Sequence, residues 1–292
     1  MVATADTTQK MMSDDEFALL RDLVSKEFGI VLKGAKRSLL QTKVSQRLGV
    51  LKLSTYREYH DFILADPSKE ELYLLASHIT NNETYFFREK QQFDIFNLLL
   101  EDIKAGKQKA GKNNLRFLSL ASSSGEEAYT MNIMLQESGL FVWDWEISIV
   151  GVDIDRDAIQ RARKAVYRSN SFRAADGDSR IMKKYFIRDG DRYMLKKHLT
   201  KNVEFRHGNL IQKETFEGVS EIDVIFCRNV MIYMSDETIR LIAGYLYSVL
   251  SDTGYLFVGA SESLIQKTDL FYPEHINGTI VYRKNLKARL TR

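Results

Sequence analysis

The sequence predicts an α/β protein in which an all-helical segment precedes a sheet of parallel strands covered by helices on both faces. Before residue 80, apolar residues recur at spacings of three and four, which is typical of amphipathic helices. After residue 110, apolar β-branched runs alternate with helical patterns, which is typical of parallel sheets. Because such sheets bind ligands beyond the carboxyl ends of their strands, we expect the functional site there.

Four helices are predicted in the first part of the chain. The first begins at the capping box Ser13-Asp14-Asp15-Glu16, and Gly29 is expected to end it. We expect Gly49 to end the second helix, the third to start near Ser54, and residues 66–68 to break it. The apolar faces of the second, third and fourth helices are predicted to contain Leu40, Val44 and Leu48, then Tyr56, Tyr59 and Ile63, then Leu72, Leu75 and Ile79.

Six apolar runs are predicted strands of the sheet, over residues 115–121, 147–154, 203–206, 223–228, 255–260 and 279–283. Helices are expected from Glu126, around Ala158 and over residues 237–250. The predicted boundaries are a disordered lead-in over 1–12, a helical domain over 13–80, a linker and connecting helix over 81–110, and the α/β domain over 111–292.

The composition excludes several classes of protein. Among the 292 residues Cys227 is the one cysteine, which excludes an internal disulfide and a cysteine-based zinc site, and we expect no metal. No apolar run reaches the roughly 18 residues that a membrane-spanning helix needs, so no membrane insertion is expected. The polar stretch 1–12 lacks the apolar core of a signal peptide. These features favour a cytoplasmic protein.

Basic residues are concentrated in the predicted second helix and its flanks. Residues 33–57 contain seven lysines and arginines and no acidic residue, although the formal net charge of the whole chain is only +3. One interpretation is a solvated helix face, and the other is a docking surface for an acidic partner. The run has few aromatic residues for base stacking, which argues against a nucleic-acid partner.

The turn after the first predicted strand is acidic. Residues 118–127 form a strand, a turn of small residues and a helix start that contains Glu126 and Glu127. Dinucleotide-binding folds place G-x-G-x-x-G here, whereas this turn has only Gly125, and its carboxylates would repel a diphosphate. A cationic ligand fits better, although glutamates also simply stabilise a helix N-terminus. Asp153, at the end of the next strand, lies where such folds place an acid that binds ribose.

Two further segments combine polar and aromatic residues. Residues 80–89 precede the α/β part, and residues 227–233 place Arg228 and Asn229 at the end of a predicted strand. Buried polar groups need hydrogen-bond partners, so both segments could serve capping and hydrogen bonding between domains. Polar side chains at the carboxyl end of a strand are equally typical of a binding site in this type of fold.

Four motifs together make the chain resemble a known family. NNETYFFRE (81–89), ASSSGEEAYT (121–130), VGVDIDRDAIQRARKAVY (150–167) and DVIFCRNVMIY (223–233) occur in this order. They resemble the CheR family of S-adenosylmethionine-dependent glutamate O-methyltransferases, which act on bacterial chemotaxis receptors. The resemblance extends from about Ser13 to Lys284. It implies an N-terminal all-helical domain and a Rossmann-like methyltransferase domain with a small β-subdomain insertion, over 185–206.

The resemblance also implies a set of site residues. Cofactor contacts are expected at Asn82, Thr84, Arg88, Ala121, Glu127, Asp153, Asn209, Leu210, Arg228 and Asn229. Glu127 is favoured over Glu126 for direct contact, and Asp153 matches the acid that binds ribose. Arg88 and Tyr233 match the residues nearest to methyl transfer. The cofactor would be S-adenosylmethionine, with S-adenosylhomocysteine as product.

The implied partners are the cytoplasmic helices of methyl-accepting chemotaxis receptors, and we expect a monomer. The docking residues would be Lys36, Arg37, Lys43 and Arg47. The turn over 188–192 is short, whereas it is longer in family members that dock on a pentapeptide tether, so we expect a tether-independent enzyme. Ala128 stands where the family usually has proline, which affects stability more than chemistry.

Three alternatives remain. One is a methyltransferase with another acceptor, such as a small molecule or a nucleic acid. Another is a protein that binds the cofactor for sensing or scaffolding and transfers no methyl group, although the presence of Arg88 and Tyr233 argues against it. A nicotinamide-dependent dehydrogenase is the least favoured, because the glycine pattern does not match.

Overall fold

The computed structural model describes residues 11–32, 34, 36–80, 82–141, 144–173 and 179–290. The chain divides into two units, Met1–Asn81 and Asn82–Arg292. Most of the lead-in predicted to be disordered, residues 1–10, lies outside the described part of the chain. Met12 is buried, and its amide donates to Gln41 Oε1 over 3.3 Å. The described structure therefore includes Met11 and Met12, the last two residues of the predicted lead-in.

The described residues of the first unit form four α-helices, α1 (Asp14–Phe28), α2 (Lys36–Leu51), α3 (Tyr56–Ala65) and α4 (Glu70–Ile79). The capping box at Ser13 and the left-handed cap at Gly29 are both confirmed. The prediction that Gly49 ends the second helix is wrong, because the helix continues to Leu51. The third helix begins at Tyr56, close to the predicted start near Ser54, and is capped by Thr55, whose hydroxyl accepts from the Glu58 amide.

A buried glutamate organises the first unit. The carboxylate of Glu71 accepts hydrogen bonds from Arg47 Nε and Nη2, each over 2.8 Å, and from the Tyr59 hydroxyl over 2.8 Å. A carboxylate taken out of water is costly unless it is paired in this way. The predicted docking residue Arg47 is therefore engaged in the core of its own unit. Arg37, another predicted docking residue, pairs with Asp14.

The second unit contains six α-helices among its described residues, α5 (Lys90–Lys109), α6 (Glu126–Ser138), α7 (Arg156–Lys164), α8 (Ser179–Tyr185), α9 (Lys197–Thr200) and α10 (Asp236–Val249). Its strands are β1 (Asn114–Leu120), β2 (Glu146–Asp153), β3 (Val166–Arg168), β4 (Phe186–Asp189), β5 (Arg192–Leu195), β6 (Val203–His207), β7 (Ile222–Cys227), β8 (Leu250–Val258), β9 (Phe271–Ile276) and β10 (Thr279–Lys284). No described helix is both long and apolar enough to cross a lipid bilayer.

Seven strands form the main sheet in the order β6-β2-β1-β7-β8-β10-β9. The first five of these are mutually parallel, and β10 pairs antiparallel with both β8 and β9. All six predicted strands are present, although β8 already begins at Leu250, and β9 was not predicted. Apolar clusters cover the sheet, one of them containing Phe117 and Phe226 and the other Ile225 and Leu246.

A small antiparallel sheet has the strand order β3-β5-β4. The predicted insertion, residues 185–206, differs from this observed sheet at both ends. The sheet already includes β3, which follows Ala165, whereas Val203 starts β6 and pairs with β2 in the main sheet. The physical reason is Phe205, whose buried ring packs against Tyr129 with centroids 5.3 Å apart and so holds β6 in the main sheet.

Candidate functional site

The carboxyl ends of four parallel strands meet at one edge of the main sheet. Leu120, near the end of β1, is in register with Val152 of β2 on one side and with Cys227 of β7 on the other. Asp153 of β2 is in register with His207 of β6. The segments that follow these strands are therefore neighbours, and they contain most of the predicted site residues.

The turn after β1 has an uncommon backbone conformation. Ala121 and Ser123 have φ values of 55° and 48°, a region that non-glycine residues adopt only at a cost of about 1–3 kcal/mol each. Gly125 has φ 90°, and a Cβ there would lie 2.7 Å from the Phe205 ring. Tertiary contacts hold this turn, since the Ser123 amide donates to Asp153 Oδ2 over 2.7 Å. The turn is thus a rigid backbone surface at the sheet edge.

Asp153 is buried at the centre of this edge. Its carboxylate accepts from the amides of Ser123 and Asp155, and the second distance is 2.8 Å. Burial raises the pKa of Asp153 to about 6, and these hydrogen bonds oppose the rise only in part. Asn82 lies beside it, with its amide nitrogen 2.6 Å from Asp155 Oδ2 and its carbonyl accepting from the Ser123 hydroxyl.

Arg228 joins three segments of the chain. Its Nε donates to Glu127 Oε2 over 2.7 Å, its Nη1 to Gln92 Oε1 over 3.0 Å and its Nη2 to the Arg88 carbonyl over 2.9 Å. The guanidinium also lies 5.1 Å from the ring centroid of Phe93. Only 2% of the Arg228 side chain is exposed. It holds the Arg88 segment and Glu127 in place and is not itself open to solvent.

The two glutamates of the acidic turn have different surroundings. Glu127 accepts from the Ser119 hydroxyl over 2.7 Å and from Arg228, and its side chain keeps 12% exposure. Glu126 is more deeply buried and accepts from the hydroxyls of Ser124 and Ser171. Burial raises the pKa of Glu126, and these serine hydrogen bonds oppose that rise. The greater exposure of Glu127 supports the preference for it as the ligand contact.

Tyr233 and Arg88 lie near each other beside this cluster. Tyr233 ends a 3₁₀ turn that follows β7, and burial raises the pKa of its hydroxyl. The Arg88 guanidinium opposes part of that rise, so its charge lies within electrostatic range of the Tyr233 hydroxyl. Arg88 Nη1 donates to the Glu83 carbonyl over 2.5 Å.

The remaining predicted residues lie on two sides of the edge. Asn209 and Leu210 follow β6 and are buried, and the preceding Gly208 amide donates to the Asp153 carbonyl over 3.0 Å. Thr84 is half-buried and, with Asn82, lines a cavity of about 420 Å³ that extends to Tyr167 and Arg173. The structure therefore brings the predicted residues to one sheet edge, while their contacts with a cofactor remain a prediction.

Several residues of the cluster were not predicted. Gln92, Glu89 and Glu262 bind Arg228 or Asn229, and Asp155 binds Asn82. Glu89 is the last residue of the first family motif, which could have identified it, and Glu262 follows the end of β8, where the rule on strand ends applies. Nothing local in the sequence distinguishes Gln92, because its partners are Arg228 and the Val258 carbonyl.

The groups at this edge fit S-adenosylmethionine by their chemistry. A buried carboxylate at Asp153 can accept hydrogen bonds from ribose hydroxyls. Glu127 keeps 12% of its side chain exposed, which suits contact with the cationic part of the cofactor, while Arg228 pairs with the same carboxylate. The left-handed backbone at Ala121 turns the chain sharply where a ligand would approach.

Comparison with known proteins identifies the family. Residues 15–80 match the all-alpha domain of CheR methyltransferase, and residues 82–280 match its SAM-binding domain. Chemotaxis protein methyltransferase 2 of Vibrio cholerae is 30% identical over 281 residues, covering 96% of each chain. Chemotaxis protein methyltransferase 2 of Pseudomonas aeruginosa is 32% identical over 260 residues, covering 88% of this chain and 89% of the relative. Chemotaxis protein methyltransferase of Borreliella burgdorferi is 31% identical over 264 residues, covering 89% and 92%. The chain belongs to the CheR methyltransferase family and has both its all-alpha domain and its S-adenosylmethionine-binding domain.

Proposed function

We propose that this protein transfers the methyl group of S-adenosylmethionine to glutamate side chains of chemotaxis receptors and forms glutamate methyl esters. The observation that carries the proposal is the grouping of Arg88, Glu127 and Tyr233 at one sheet edge of a CheR-family domain. Three relatives that match most of the chain are named chemotaxis protein methyltransferases, which supports receptors as the acceptors.

Methyl transfer to a carboxylate requires that the carboxylate and the methyl group be positioned, and it requires no general base. The cofactor would supply an activated methyl group on a sulfonium, and the leaving group would be a neutral thioether. A glutamate side chain, with an ordinary pKa of about 4.3, is already ionised at neutral pH. The protein must therefore align the carboxylate with the methyl group and exclude water from the carboxylate.

Two residues have suitable positions for this task. The Arg88 guanidinium would pair with the substrate carboxylate and orient it. The raised pKa of Tyr233 keeps its hydroxyl protonated at neutral pH, so it can donate a hydrogen bond to the carboxylate or to a nearby oxygen. Five further residues would bind the cofactor directly or hold the groups that bind it, namely Asn82, Ala121, Asp153, Asn209 and Arg228.

We further propose docking on an acidic receptor surface through the partly exposed Lys43, with the protein in the cytoplasm as a monomer. The turn that joins β4 to β5 contains only Gly190 and Asp191, which supports binding without a pentapeptide tether. Lys36 is half-buried, so it presents less of its side chain to such a surface, and burial lowers the pKa of its ammonium group.

One experiment tests the reaction. The protein is incubated with tritium-labelled S-adenosylmethionine and membranes rich in chemoreceptors, and we expect base-labile label on the receptor band. Receptors truncated at their C-terminal tail should be labelled equally well if no tether is used. Membranes without chemoreceptors are the control. Failure to label several receptors, with cofactor binding intact, would instead favour a cofactor-binding sensing module.

A further inference from the structure

A carboxylate outside the predicted site clamps the backbone that leads to Tyr233. Glu262 Oε2 accepts from the amides of Gly259 over 2.6 Å and of Asn229 over 2.8 Å. Its other oxygen, Oε1, accepts from the Ile232 amide over 3.1 Å. Three backbone donors on one carboxylate thus tie the turn after β8 to the turn after β7.

The clamped turn needs such support. Asn229 has φ 58°, a left-handed conformation that residues other than glycine adopt mainly where their surroundings fix it. Tyr233 follows within the 3₁₀ turn Met231–Tyr233, where its amide donates to the Val230 carbonyl. Glu262 binds the amides of Asn229 and Ile232, so its contacts cover both ends of the segment that sets the Tyr233 position.

The space for this clamp comes from a glycine. A Cβ on Gly259 would lie 2.7 Å from Glu262 Oε2, 2.8 Å from Asn229 Nδ2 and 2.9 Å from the Asn229 amide nitrogen. Real Cβ atoms do not approach other atoms so closely. Any side chain at position 259 would therefore displace the Glu262 carboxylate or the Asn229 backbone.

A second carboxylate holds the same turn in a different way. Glu89 Oε1 accepts from the Asn229 side-chain amide over 2.9 Å, and Glu89 Oε2 accepts from the Ala260 amide over 3.1 Å. Glu89 therefore fixes the Asn229 side chain, whereas Glu262 fixes the backbone of the turn. The Glu262 charge also contributes to raising the pKa of Tyr233.

We propose that Glu262 is a positioning residue for methyl transfer, and that it acts through Tyr233 by holding the backbone of residues 229–232. This inference rests on the proposed function, because its effect is measured in that reaction. The carboxylate contacts no predicted cofactor group except the Asn229 backbone, so turnover should depend on it more strongly than cofactor affinity does.

The test replaces one carboxylate oxygen by a group that cannot accept. In Glu262→Gln the side-chain NH₂ would face backbone donors, so either Ile232 or the pair Gly259 and Asn229 loses its partner. We expect kcat for receptor methylation to fall at least tenfold, and the calorimetric Kd for S-adenosylmethionine to change less than threefold. Gly259→Ala should also lower kcat, because it disturbs the same carboxylate from the other side.

A double variant separates positioning from general damage. If Glu262 acts through Tyr233, then Glu262→Gln combined with Tyr233→Phe should lower kcat no further than the more damaging single variant does. The proposal would be overturned if the double variant lowered kcat by the product of the two single reductions. It would also be overturned if kcat of Glu262→Gln stayed within twofold of wild type.

Two matched controls complete the test. Glu101→Gln changes an exposed glutamate of α5, and Gly244→Ala adds a methyl group where nothing lies within 4 Å. Both should keep wild-type turnover. A wild-type protein that labels no receptor overturns the proposed function and this inference together, whereas normal labelling by both wild type and Glu262→Gln overturns this inference alone.

Discussion

The guanidinium of Arg228 and the carboxylate of Glu127 form a buried ion pair, with 2.7 Å between Nε and Oε2. The pair joins the end of β7 to the first turn of α6, the two places where the sequence motifs put a cofactor. Breaking a buried pair leaves a charge without compensation, whereas an exposed pair contributes little. Arg228 is therefore expected to matter for both stability and binding.

Arg228→Ala should lower the free energy of unfolding by about 3–5 kcal/mol, because Glu127 and Gln92 lose their partner at once. It should also weaken S-adenosylmethionine binding, since the Glu127 carboxylate and the Arg88 segment are no longer fixed. Urea denaturation and calorimetry measure the two effects. As a control, Arg206→Ala removes a more exposed pair with Glu204 and should cost at most about 1 kcal/mol. Cofactor affinity unchanged in Arg228→Ala would contradict the site assignment.

Cofactor binding should depend on pH through Asp153. Its pKa of about 6 in the free protein means that much of the carboxyl group is protonated at pH 5. Ribose hydroxyls that donate to the carboxylate favour its ionised form, so binding lowers this pKa and releases a proton. The affinity should therefore rise as the pH increases from 5 to 7 and then level off. Calorimetry in buffers of different ionisation enthalpy should detect the proton release near pH 6.

Asp153→Asn is the control for this pH dependence. Asparagine cannot ionise. We therefore expect S-adenosylmethionine to bind this variant more weakly and its binding to release no proton from position 153. Burial also raises the pKa of Glu126 and lowers that of His207, so the dependence that remains in this variant reports such neighbouring groups. Proton release that is identical in wild type and Asp153→Asn would show that Asp153 is not the group that titrates.

The docking surface should depend on Lys43 and not on Arg47. Lys43→Glu reverses a partly exposed charge, so receptor methylation should fall while cofactor binding and stability are unchanged. Arg47→Ala should lower the free energy of unfolding, because Glu71 keeps only its Tyr59 partner in the core. Receptor methylation at several salt concentrations measures the effect of Lys43→Glu, and thermal unfolding measures the effect of Arg47→Ala. Undiminished methylation by Lys43→Glu would favour the solvated-face interpretation of the basic run.

The sequence predicted what depends on local pattern and missed what depends on distant partners. The capping box at Ser13 and the strands of the main sheet follow from short-range spacing. The prediction that Gly49 ends the second helix was wrong, because a glycine inside a helix lowers its stability by only about 1 kcal/mol and does not by itself end it. The helix ends instead where Lys52 adopts φ 57°.

Long-range hydrogen bonds account for the other differences. Arg47 looked like part of a basic surface because its partner, Glu71, lies 24 residues away in the sequence. Gln92 and Arg228 are 136 residues apart, and Asn229 and Glu262 are 33 apart. No periodicity in the sequence reports such pairs, so the sequence predictions did not include Gln92 or Glu262.

Tyr233→Phe should separate methyl transfer from cofactor binding. The variant removes only the hydroxyl, and the 3₁₀ turn that carries the ring keeps its backbone contacts, so stability and S-adenosylmethionine affinity should stay near wild type. If the hydroxyl helps to hold the attacking carboxylate, kcat should fall about tenfold or more, which corresponds to roughly 1.4 kcal/mol of transition-state stabilisation per tenfold. Because burial raises the pKa of Tyr233, its hydroxyl stays protonated, and wild-type kcat should be level between pH 7 and 9. Initial rates with receptor-rich membranes and saturating cofactor measure both quantities. Weak cofactor binding with normal kcat in Tyr233→Phe, or a wild-type rate that falls through pH 8, would contradict the role given to this hydroxyl.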